Sequence, residues 1–390
     1  MKHILYGMPG SLYTGKVRSY LRKQRIPFEE RIAGDPRFVN EVVPVVGRWI
    51  VPVLQTPQGQ ILQDGALIID HLETLPQAGP RAAPDDPVLR VVAHIFEMFG
   101  GEGLLRPAMH FRWNFDETNL AFIQKDFLSA LAPGKQGVEA DMAFAFASGR
   151  MRKATLNFGV NPQTVPTIER TYQDFLQLFD KHLESMPHLL GSFPCYGDYG
   201  LIAPLFAHLG RDPYPSQLMK RVAPRVWRWV ERMNAPDADA GEYMGHAPES
   251  IDLAQPCESL DALLRFVAED YLPEVKAMVR FANDWLAQRP DLAAGTNGMP
   301  RPGDRQIGSM QFEWRGIPIE VMVMPYRILM LQRIQDHAAL LDVQQGAVLN
   351  ALLTRTGLQR LLELRCLRRV ERKGQLEVWG ALHNLQRRST

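Results

Sequence analysis

Residues 5–18 decide how this chain begins to fold, and they read Leu-Tyr-Gly-Met-Pro-Gly-Ser-Leu-Tyr-Thr-Gly-Lys-Val-Arg. The apolar start of this stretch predicts a short β-strand. The cluster of glycine and proline that follows predicts a turn. The spacing of Val17, Tyr20 and Leu21 predicts an amphipathic helix that begins near Tyr13. The chain is therefore expected to open with a strand, a tight turn and a helix.

Strand and helix patterns continue to alternate through residues 1–76. Residues 27–32, 51–54 and 60–62 are predicted as strands, and the last two are expected to form a hairpin around a Pro-Gln-Gly turn. Residues 66–75 have the spacing of an amphipathic helix. The order β-α-β followed by β-β-α predicts an α/β domain.

The pattern of the chain changes after this domain. Prolines crowd residues 77–87 and cannot lie in one regular helix, so this segment is predicted to be a linker. Helical spacing then dominates residues 88–235, which predicts an all-helical domain. Within it, residues 215–233 are predicted as one continuous helix.

The last part of the chain differs again. Residues 236–256 are rich in Pro, Asp, Gly and Ala and are predicted to be a second linker. Residues 257–390 mix helical and hairpin patterns, with one long or broken helix over residues 260–288. Because an isolated two-stranded hairpin is marginally stable in water, this α+β extension is predicted to pack against the rest of the chain as a cover.

Composition and charge exclude several classes of protein. The 390 residues are 46% hydrophobic and 22% charged, which is typical of a globular protein and not of a disordered or fibrous one. A net charge of +1 provides no overall field to attract nucleic acid or a membrane, and no apolar stretch is long enough to span a bilayer. The basic residues within 365–373 alternate as in a strand. They are interpreted as a solvated hairpin or, alternatively, as a surface for an acidic partner.

The cysteines and histidines indicate neither a metal site nor a disulfide framework. Cys195, Cys257 and Cys366 are far apart and form no CxxC pair. The ten histidines lack the spacing of a helix-borne metal site. No metal cofactor is therefore expected, and a reducing compartment, the cytoplasm, is the predicted location.

The order of the units and the opening segment together resemble the soluble glutathione S-transferase superfamily. Its members have a thioredoxin-like N-terminal domain followed by an all-helical domain. The resemblance covers about residues 1–235, and residues 257–390 have no counterpart in it. It implies an α/β thioredoxin-like fold followed by an all-α domain, to which this chain adds an α+β extension. It also implies glutathione as co-substrate, a small electrophile as second substrate, and a homodimer as one assembly.

Ser11 aligns with the position at which many members of the superfamily place their active serine or cysteine. A hydroxyl that donates a hydrogen bond to the glutathione sulfur favours the thiolate, whereas the free thiol has a pKa of about 8.5. The positive end of the following helix adds to this effect. Ser11 is thus the catalytic candidate, and its alternative role is that of a turn residue or helix cap.

Val51 and Pro52 resemble the superfamily's cis-proline step. The resemblance implies that the N–H and C=O of Val51 pair with the cysteinyl backbone of glutathione, as when a peptide ligand adds to a strand. The alternative is a trans proline at the start of a strand.

Residues 62–72 resemble the segment that holds the γ-glutamyl end of glutathione. Asp64 aligns with the acid that binds the ammonium group, and Gly65 aligns with a serine that binds the carboxylate together with the helix N-terminus. Because glycine has no hydroxyl, a charge-assisted hydrogen bond worth about 1.5–3 kcal/mol is lost, which is roughly ten- to a hundredfold in affinity. This departure predicts weaker glutathione binding or a different ligand.

The second domain carries the remaining similarities. Residues 191–199 resemble its N-capping box, with Asp198 in the usual acidic position and Cys195 in place of the usual hydroxyl. The resemblance also implies that the first helices of this domain line the pocket for the electrophile. The candidate pocket residues are Glu97, Arg106, His110 and Trp113. Each of them has an alternative role as an ordinary helix or core residue.

The function predicted from these features is that of a glutathione transferase, which joins the glutathione thiolate to a small hydrophobic or aromatic electrophile. The alternative is a non-catalytic interaction module of the same fold whose extension carries the function. Gly65 and Cys195 favour this alternative, since each weakens a feature of the superfamily.

Overall fold

The structure is a computed structural model that describes residues 2–76, 79–237, 240–245, 248–255 and 257–382. Parts of both predicted linkers and the last eight residues of the extension lie outside the described residues. The chain has the predicted fold class: a thioredoxin-like α/β domain, then a domain of helices, then an extension that contains helices and two small sheets.

The N-terminal domain is built on a four-stranded sheet. Its elements are β1 (His3–Gly7), α1 (Leu12–Lys23), β2 (Phe28–Ile32), α2 (Val43–Val46), β3 (Val53–Gln55), β4 (Ile61–Gln63) and α3 (Gly65–Glu73). The strand order is β2-β1-β3-β4. β1 pairs parallel with β2 and antiparallel with β3, and β3 pairs antiparallel with β4. β4 therefore forms one edge of the sheet.

Alternation along the strands assigns each face of this sheet to its own helices. Leu5 and Leu54 share a buried cluster with α1 and α3 on one face. Tyr6 and Val53 point to the other face, where they pack against Phe38 in a turn of π-helix (Phe38–Val42) and against α2. Side chains of successive strand residues alternate between faces, so the sheet is covered on both sides.

The second domain consists of helices packed around one buried helix. They are α4 (Pro87–Met98), α5 (Leu105–Trp113), α6 (Asp116–Leu131), α7 (Gly137–Leu156), α8 (Val165–His182), α9 (Tyr196–Ala207), α10 (Pro213–Val222) and α11 (Pro224–Asn234). The prediction of one helix over residues 215–233 was wrong: α10 ends at Val222 because Pro224 cannot continue it and starts α11 instead. α5 was not predicted from the sequence.

Asp198 starts the buried helix α9, as the predicted capping box requires. Its carboxylate accepts hydrogen bonds from the backbone N–H of Cys195 at 2.9 Å and of Leu189 at 3.0 Å. It also accepts one from the indole N–H of Trp229 at 3.0 Å. The carboxylate is thus a structural group that ties α9 to α11 and to the preceding loop.

The extension consists of two helix pairs and two hairpins. Its elements are α12 (Glu258–Asp270), α13 (Leu272–Ala287), β5 (Gly308–Trp314), β6 (Ile317–Val323), α14 (Pro325–Ala339), α15 (Val343–Thr356), β7 (Arg368–Lys373) and β8 (Leu376–Leu382). The long or broken helix predicted over residues 260–288 is broken at Tyr271, and Pro273 lies in the first turn of the second helix. β5 and β6 pair around Arg315 and Gly316, whose positive φ angles of 51° and 80° suit a tight hairpin turn.

The extension packs against both other domains, as predicted for a cover. α14 lies along α4, and one continuous cluster of buried apolar side chains runs from the N-terminal sheet through the helical domain into the extension. The backbone N–H of Met322 in β6 also donates to the carbonyl of Asn157, just after α7, at 2.8 Å. Among the described residues, no helix is both long and apolar enough to cross a membrane.

Candidate functional site

Ser11 stands at the N-terminus of α1. Its hydroxyl oxygen accepts a hydrogen bond from the backbone N–H of Thr14 at 3.3 Å, so Ser11 caps the helix. A serine hydroxyl accepts through its lone pairs and donates through its single proton. The capping bond therefore uses only an acceptor site, and the hydroxyl proton remains available to a ligand. The role of Ser11 as a helix cap and its role as a hydrogen-bond donor to a ligand are therefore compatible.

Val51 lies two residues before β3, at the point where the chain enters that strand. The Val51–Pro52 peptide bond is cis. Among the described residues, no backbone or side-chain group hydrogen-bonds the N–H or C=O of Val51. An unpaired backbone edge of this kind can accept an extended peptide. Val51 is only partly buried, which leaves this edge accessible.

An apolar cluster borders Val51 on the side of the helical domain. It contains Met8 from the first turn, Met109 and Trp113 from α5, and Phe127 from α6, with Val51 packed against it. Trp113 also lines a cavity of about 390 Å³ between the end of α5, the end of α7 and the loop after it. A volume of this size is suited to a small organic ligand.

Glu97 lies away from this cavity, in a buried ionic cluster beneath the extension. Its carboxylate accepts from Lys16 Nζ at 2.6 Å and from His94 Nδ1 at 2.9 Å, and Arg333 of α14 lies 3.4 Å away. Burial alone would raise the pKa of Glu97, but Lys16 and Arg333 hold it well below its usual value. Glu97 thus links α1, α4 and α14 electrostatically.

Arg106 and His110 also make internal contacts. Arg106 donates to Glu274 of α13 at 2.5 Å and to the carbonyl of Phe158 at 3.1 Å. His110 is buried, and its Nε2 lies 3.0 Å from Glu169 of α8. Neither residue is among those that line the 390 Å³ cavity. Of the four predicted pocket residues, the structure places only Trp113 beside both the cavity and Val51.

Asp64 caps α3 with its own side chain. Its Oδ1 accepts from the backbone N–H groups of Ala66 and Leu67, both at 3.0 Å. The guanidinium of Arg372, in β7 of the extension, lies 3.3 Å from the same oxygen. The resemblance assigns this acid and the helix N–H groups to the γ-glutamyl end of glutathione. In the structure, groups of the chain itself already bind both.

Gly65 leaves little space for a larger side chain. A Cβ at this position would lie 3.3 Å from the Cδ of Lys16 and 3.7 Å from the carbonyl oxygen of Tyr13. The first turn of α3 thus packs closely against the first turns of α1, and no hydroxyl stands where the superfamily has its serine.

A hairpin of the extension covers the edge of the sheet next to this site. The side-chain amide of Gln375, in the β7–β8 turn, accepts from the N–H of Gln63 at 2.9 Å and donates to the carbonyl of Ile61 at 3.0 Å. Arg48 donates to both carboxylate oxygens of Glu377 in β8, at 2.9 and 3.1 Å. The two hydrogen bonds of Gln375 satisfy backbone groups of edge strand β4 that would otherwise be open.

These extension residues were not found from the sequence. Arg48 and Glu377 are more than three hundred positions apart, and no short-range pattern connects them. The one available signal was the basic run 365–373, interpreted as solvated or as a surface for an acidic partner. In the structure Arg369 pairs with Asp336 and Arg372 with Asp64, so acids of the same chain bind these two arginines.

Comparisons with known proteins agree with the fold of the first domain. The family described as glutathione S-transferase, N-terminal domain, matches residues 5–80. No curated protein matches the chain significantly.

Three solved structures illustrate the likeness. A β-etherase from Sphingobium sp. strain SYK-6 is 16% identical and covers 63% of this chain and 99% of its own, with a TM-score of 0.43. A glutathione transferase from Phanerochaete chrysosporium is 16% identical and covers 61% of this chain and 98% of its own, with a TM-score of 0.44. A glutathione S-transferase from Methylobacterium radiotolerans, in complex with glutathione sulfonate, is 18% identical and covers 66% and 100%, with a TM-score of 0.36.

The matched region runs from β1 to the segment after α3 and contains Ser11, Val51, Pro52, Asp64 and Gly65. The chain thus resembles the soluble glutathione S-transferase superfamily: residues 5–80 match that family's N-terminal domain, and a helical second domain and a C-terminal extension follow.

Proposed function

We propose that this protein is a glutathione-dependent transferase in which Ser11 stabilises the glutathione thiolate and Val51 binds the cysteinyl backbone. The backbone of Val51, which has no hydrogen-bond partner among the described residues, carries the proposal. The serine at the N-terminus of α1, which still has a proton to donate, supports it. A peptide bound along Val51 would place its thiol near that N-terminus, where a thiolate is favoured.

The second substrate is a small apolar electrophile. The cluster of Met8, Met109, Trp113 and Phe127 offers an apolar wall beside Val51, and the neighbouring cavity of about 390 Å³ offers the volume. The sulfur would attack the electrophilic carbon and form a C–S bond. The leaving group would depart with the electron pair of the bond that breaks, and the thiol proton would pass to solvent.

Three substitutions of Ser11 separate its two roles. Ser11→Ala removes both the cap and the donor, Ser11→Asp keeps a capping acceptor but has no proton to donate when ionised, and Ser11→Thr keeps both. With glutathione and chlorodinitrobenzene as substrates, we expect kcat to fall roughly 10- to 1000-fold in Ser11→Ala and Ser11→Asp. The apparent thiol pKa should rise in both. Wild-type behaviour of both variants between pH 5 and 9 would show that another group holds the sulfur.

A non-catalytic module is the second candidate, and the contacts of Asp64 favour it. Arg372 and the N–H groups of α3 already surround that carboxylate. Calorimetric titration with glutathione decides between the two proposals. A Kd below about 1 mM supports the enzyme, whereas the absence of heat supports the module.

A further inference from the structure

Three arginines surround two carboxylates at the junction of the N-terminal domain and the extension. We call Arg48, Arg305 and Arg372, together with Asp64 and Glu377, the arginine cluster. Arg48 makes a bidentate pair with Glu377, Arg305 lies 3.8 Å and Arg372 lies 3.9 Å from the same carboxylate, and Arg372 lies 3.3 Å from Asp64. The cluster thus holds three positive charges and two negative ones.

Two acids near Arg305, among the described residues, are each bound by another arginine. Glu102, which is close enough to Arg305 to influence its pKa, is bound by Arg327 at 3.0 Å. Asp304, the neighbour of Arg305 in sequence, pairs with Arg301. Burial alone would raise the pKa of Glu377, yet the three arginines hold it below its usual value. Glu377 is therefore ionised at neutral pH, and the cluster carries a net charge of about +1 by simple counting of its charged groups.

Several buried donors of the cluster lack a hydrogen-bond partner in the part of the chain that the structure describes. Among the described residues, no hydrogen-bond acceptor reaches Arg48 Nε, Arg305 Nε or Arg372 Nη1, although all three atoms are buried. The side chain of Arg48 is only 8% exposed and that of Arg372 only 17%. A buried, unpaired donor on a charged group is costly. This arrangement calls for an anion with several acceptor lone pairs, and a carboxylate has that chemistry.

The cluster lies next to the proposed glutathione site. Arg48 precedes Val51 by three residues, and Asp64 caps the helix whose first turn packs against Tyr13, two residues after Ser11. A small cavity lined by Arg305, Tyr326 and Glu377 adjoins it, with about 10 Å³ of space, enough for roughly one water molecule. A carboxylate needs more space than this, so its binding would have to displace the side chain of Arg305, which is 27% exposed.

From these observations we propose that Arg372 and Arg305 of the extension, together with Arg48, bind the α-carboxylate of the γ-glutamyl group of glutathione. This inference rests on the proposed function. It assigns the carboxylate to the arginines, because Asp64 already occupies the N–H groups of α3 and Gly65 has no hydroxyl. Because Arg372 neutralises Asp64, this arrangement offers the ammonium group of the ligand little electrostatic attraction.

Two analogues of glutathione test this assignment by calorimetric titration. Glutaryl-cysteinylglycine keeps the carboxylate and lacks the ammonium group, whereas 4-aminobutyryl-cysteinylglycine keeps the amine and lacks the carboxylate. We expect the glutaryl peptide to bind within about threefold of glutathione. We expect the aminobutyryl peptide to bind at least about tenfold more weakly, since it lacks one or more charge-assisted hydrogen bonds.

Substitutions of Arg372 link this difference to the cluster. Arg372→Ala should weaken glutathione and the glutaryl peptide by about tenfold or more and leave the aminobutyryl peptide unchanged, and Arg372→Lys should restore part of the loss. Arg369→Ala is the matched control, because Arg369 lies on the same strand, is 40% exposed and pairs with Asp336. It should leave all three affinities unchanged.

The outcomes separate this inference from the proposed function. If glutathione binds and reacts but Arg372→Ala weakens all three peptides equally, or none of them, the carboxylate assignment is wrong and the transferase stands. If carboxylate-dependent binding through Arg372 is found but no Ser11-dependent conjugation, the transferase is wrong and the assignment stands. If none of the three peptides binds, both are wrong.

Discussion

Replacing Arg327 with methionine should destabilise the protein strongly. Arg327, in the first turn of α14, is 1% exposed and donates to Glu102 at 3.0 Å and to Glu274 at 2.7 Å. Glu274 keeps Arg106 as a partner after the substitution. Among the described residues, the one hydrogen bond that Glu102 keeps comes from the hydroxyl of Tyr13, at 2.9 Å. Breaking a buried ion pair by removing one partner costs about 3–5 kcal/mol. We expect a loss of that size in the free energy of unfolding.

The loss should depend on pH in a defined direction. Burial raises the pKa of Glu102 in the wild-type protein, and Arg327 opposes this shift. Without Arg327, the pKa of Glu102 in the folded state rises further above its value in the unfolded chain. A carboxyl group of this kind destabilises the fold at high pH, and the penalty disappears as pH falls through the folded-state pKa. The cost of Arg327→Met should therefore be smaller at pH 5 than at pH 8.

Urea unfolding, followed by tryptophan fluorescence and by circular dichroism, measures both effects, and coincident transitions check that unfolding is two-state. Arg360→Met is the matched control, because Arg360 is 64% exposed and pairs with Glu363 on the surface. It should cost less than about 1 kcal/mol. The double variant Arg327→Met/Glu102→Gln should recover part of the loss. A cost below about 1 kcal/mol at pH 8, or one that grows toward pH 5, would refute this reasoning.

Three further outcomes follow from buried groups elsewhere. Gly200→Ala should destabilise the protein by roughly 1–3 kcal/mol or more, because the new Cβ would lie 2.4 Å from the backbone of α4. Gly101→Ala is the control: its Cβ would meet no described atom within 4 Å, so it should be nearly neutral in the same urea assay. Burial lowers the pKa of His182 to about 4. The stability that His182 contributes is therefore present above its unfolded-state pKa of about 6.5 and falls by up to about 3 kcal/mol as pH drops toward 4. His182→Gln should flatten this pH dependence of the free energy of unfolding, and an unchanged pH dependence would contradict the prediction. Of the three thiols, Cys257 is partly exposed while the other two are buried. A thiol reagent should therefore label one site per native chain quickly, and labelling at the same rate in Cys257→Ser would contradict this assignment to Cys257.

Local sequence patterns were sufficient to predict the elements of the first domain and the position of Ser11 within them. The strand, turn and helix of residues 5–18 depend on neighbours within a few positions, and β1, Ser11 and α1 appear where the spacing indicates. The capping role of Asp198 likewise depends on a partner three residues away. Periodicity, turn residues and caps are short-range signals, which is why these elements could be read from the sequence alone.

Helix ends and the pocket residues were harder to predict. The break between α10 and α11 follows from Pro224, a residue visible in the sequence but compatible with a kinked helix as well as with a new one. Glutamate and arginine occur both in ligand pockets and in buried ion pairs, so the residue types of Glu97 and Arg106 do not distinguish the two roles. Their roles depend on Lys16, Arg333 and Glu274, which other elements bring to them.

The environment of Asp64 was decided entirely by tertiary structure. The sequence determined that an acid precedes α3 and that a glycine replaces the expected serine, because both facts concern adjacent positions. Only the folded chain brings Arg372 to within 3.3 Å of that acid, across more than three hundred residues. Such a contact depends on how the β7–β8 hairpin docks against β4, and docking is determined by the packing of the whole extension on α4 and the sheet edge. Short-range patterns carry no information about that placement, since burial and ion pairing between distant segments are properties of the assembled core.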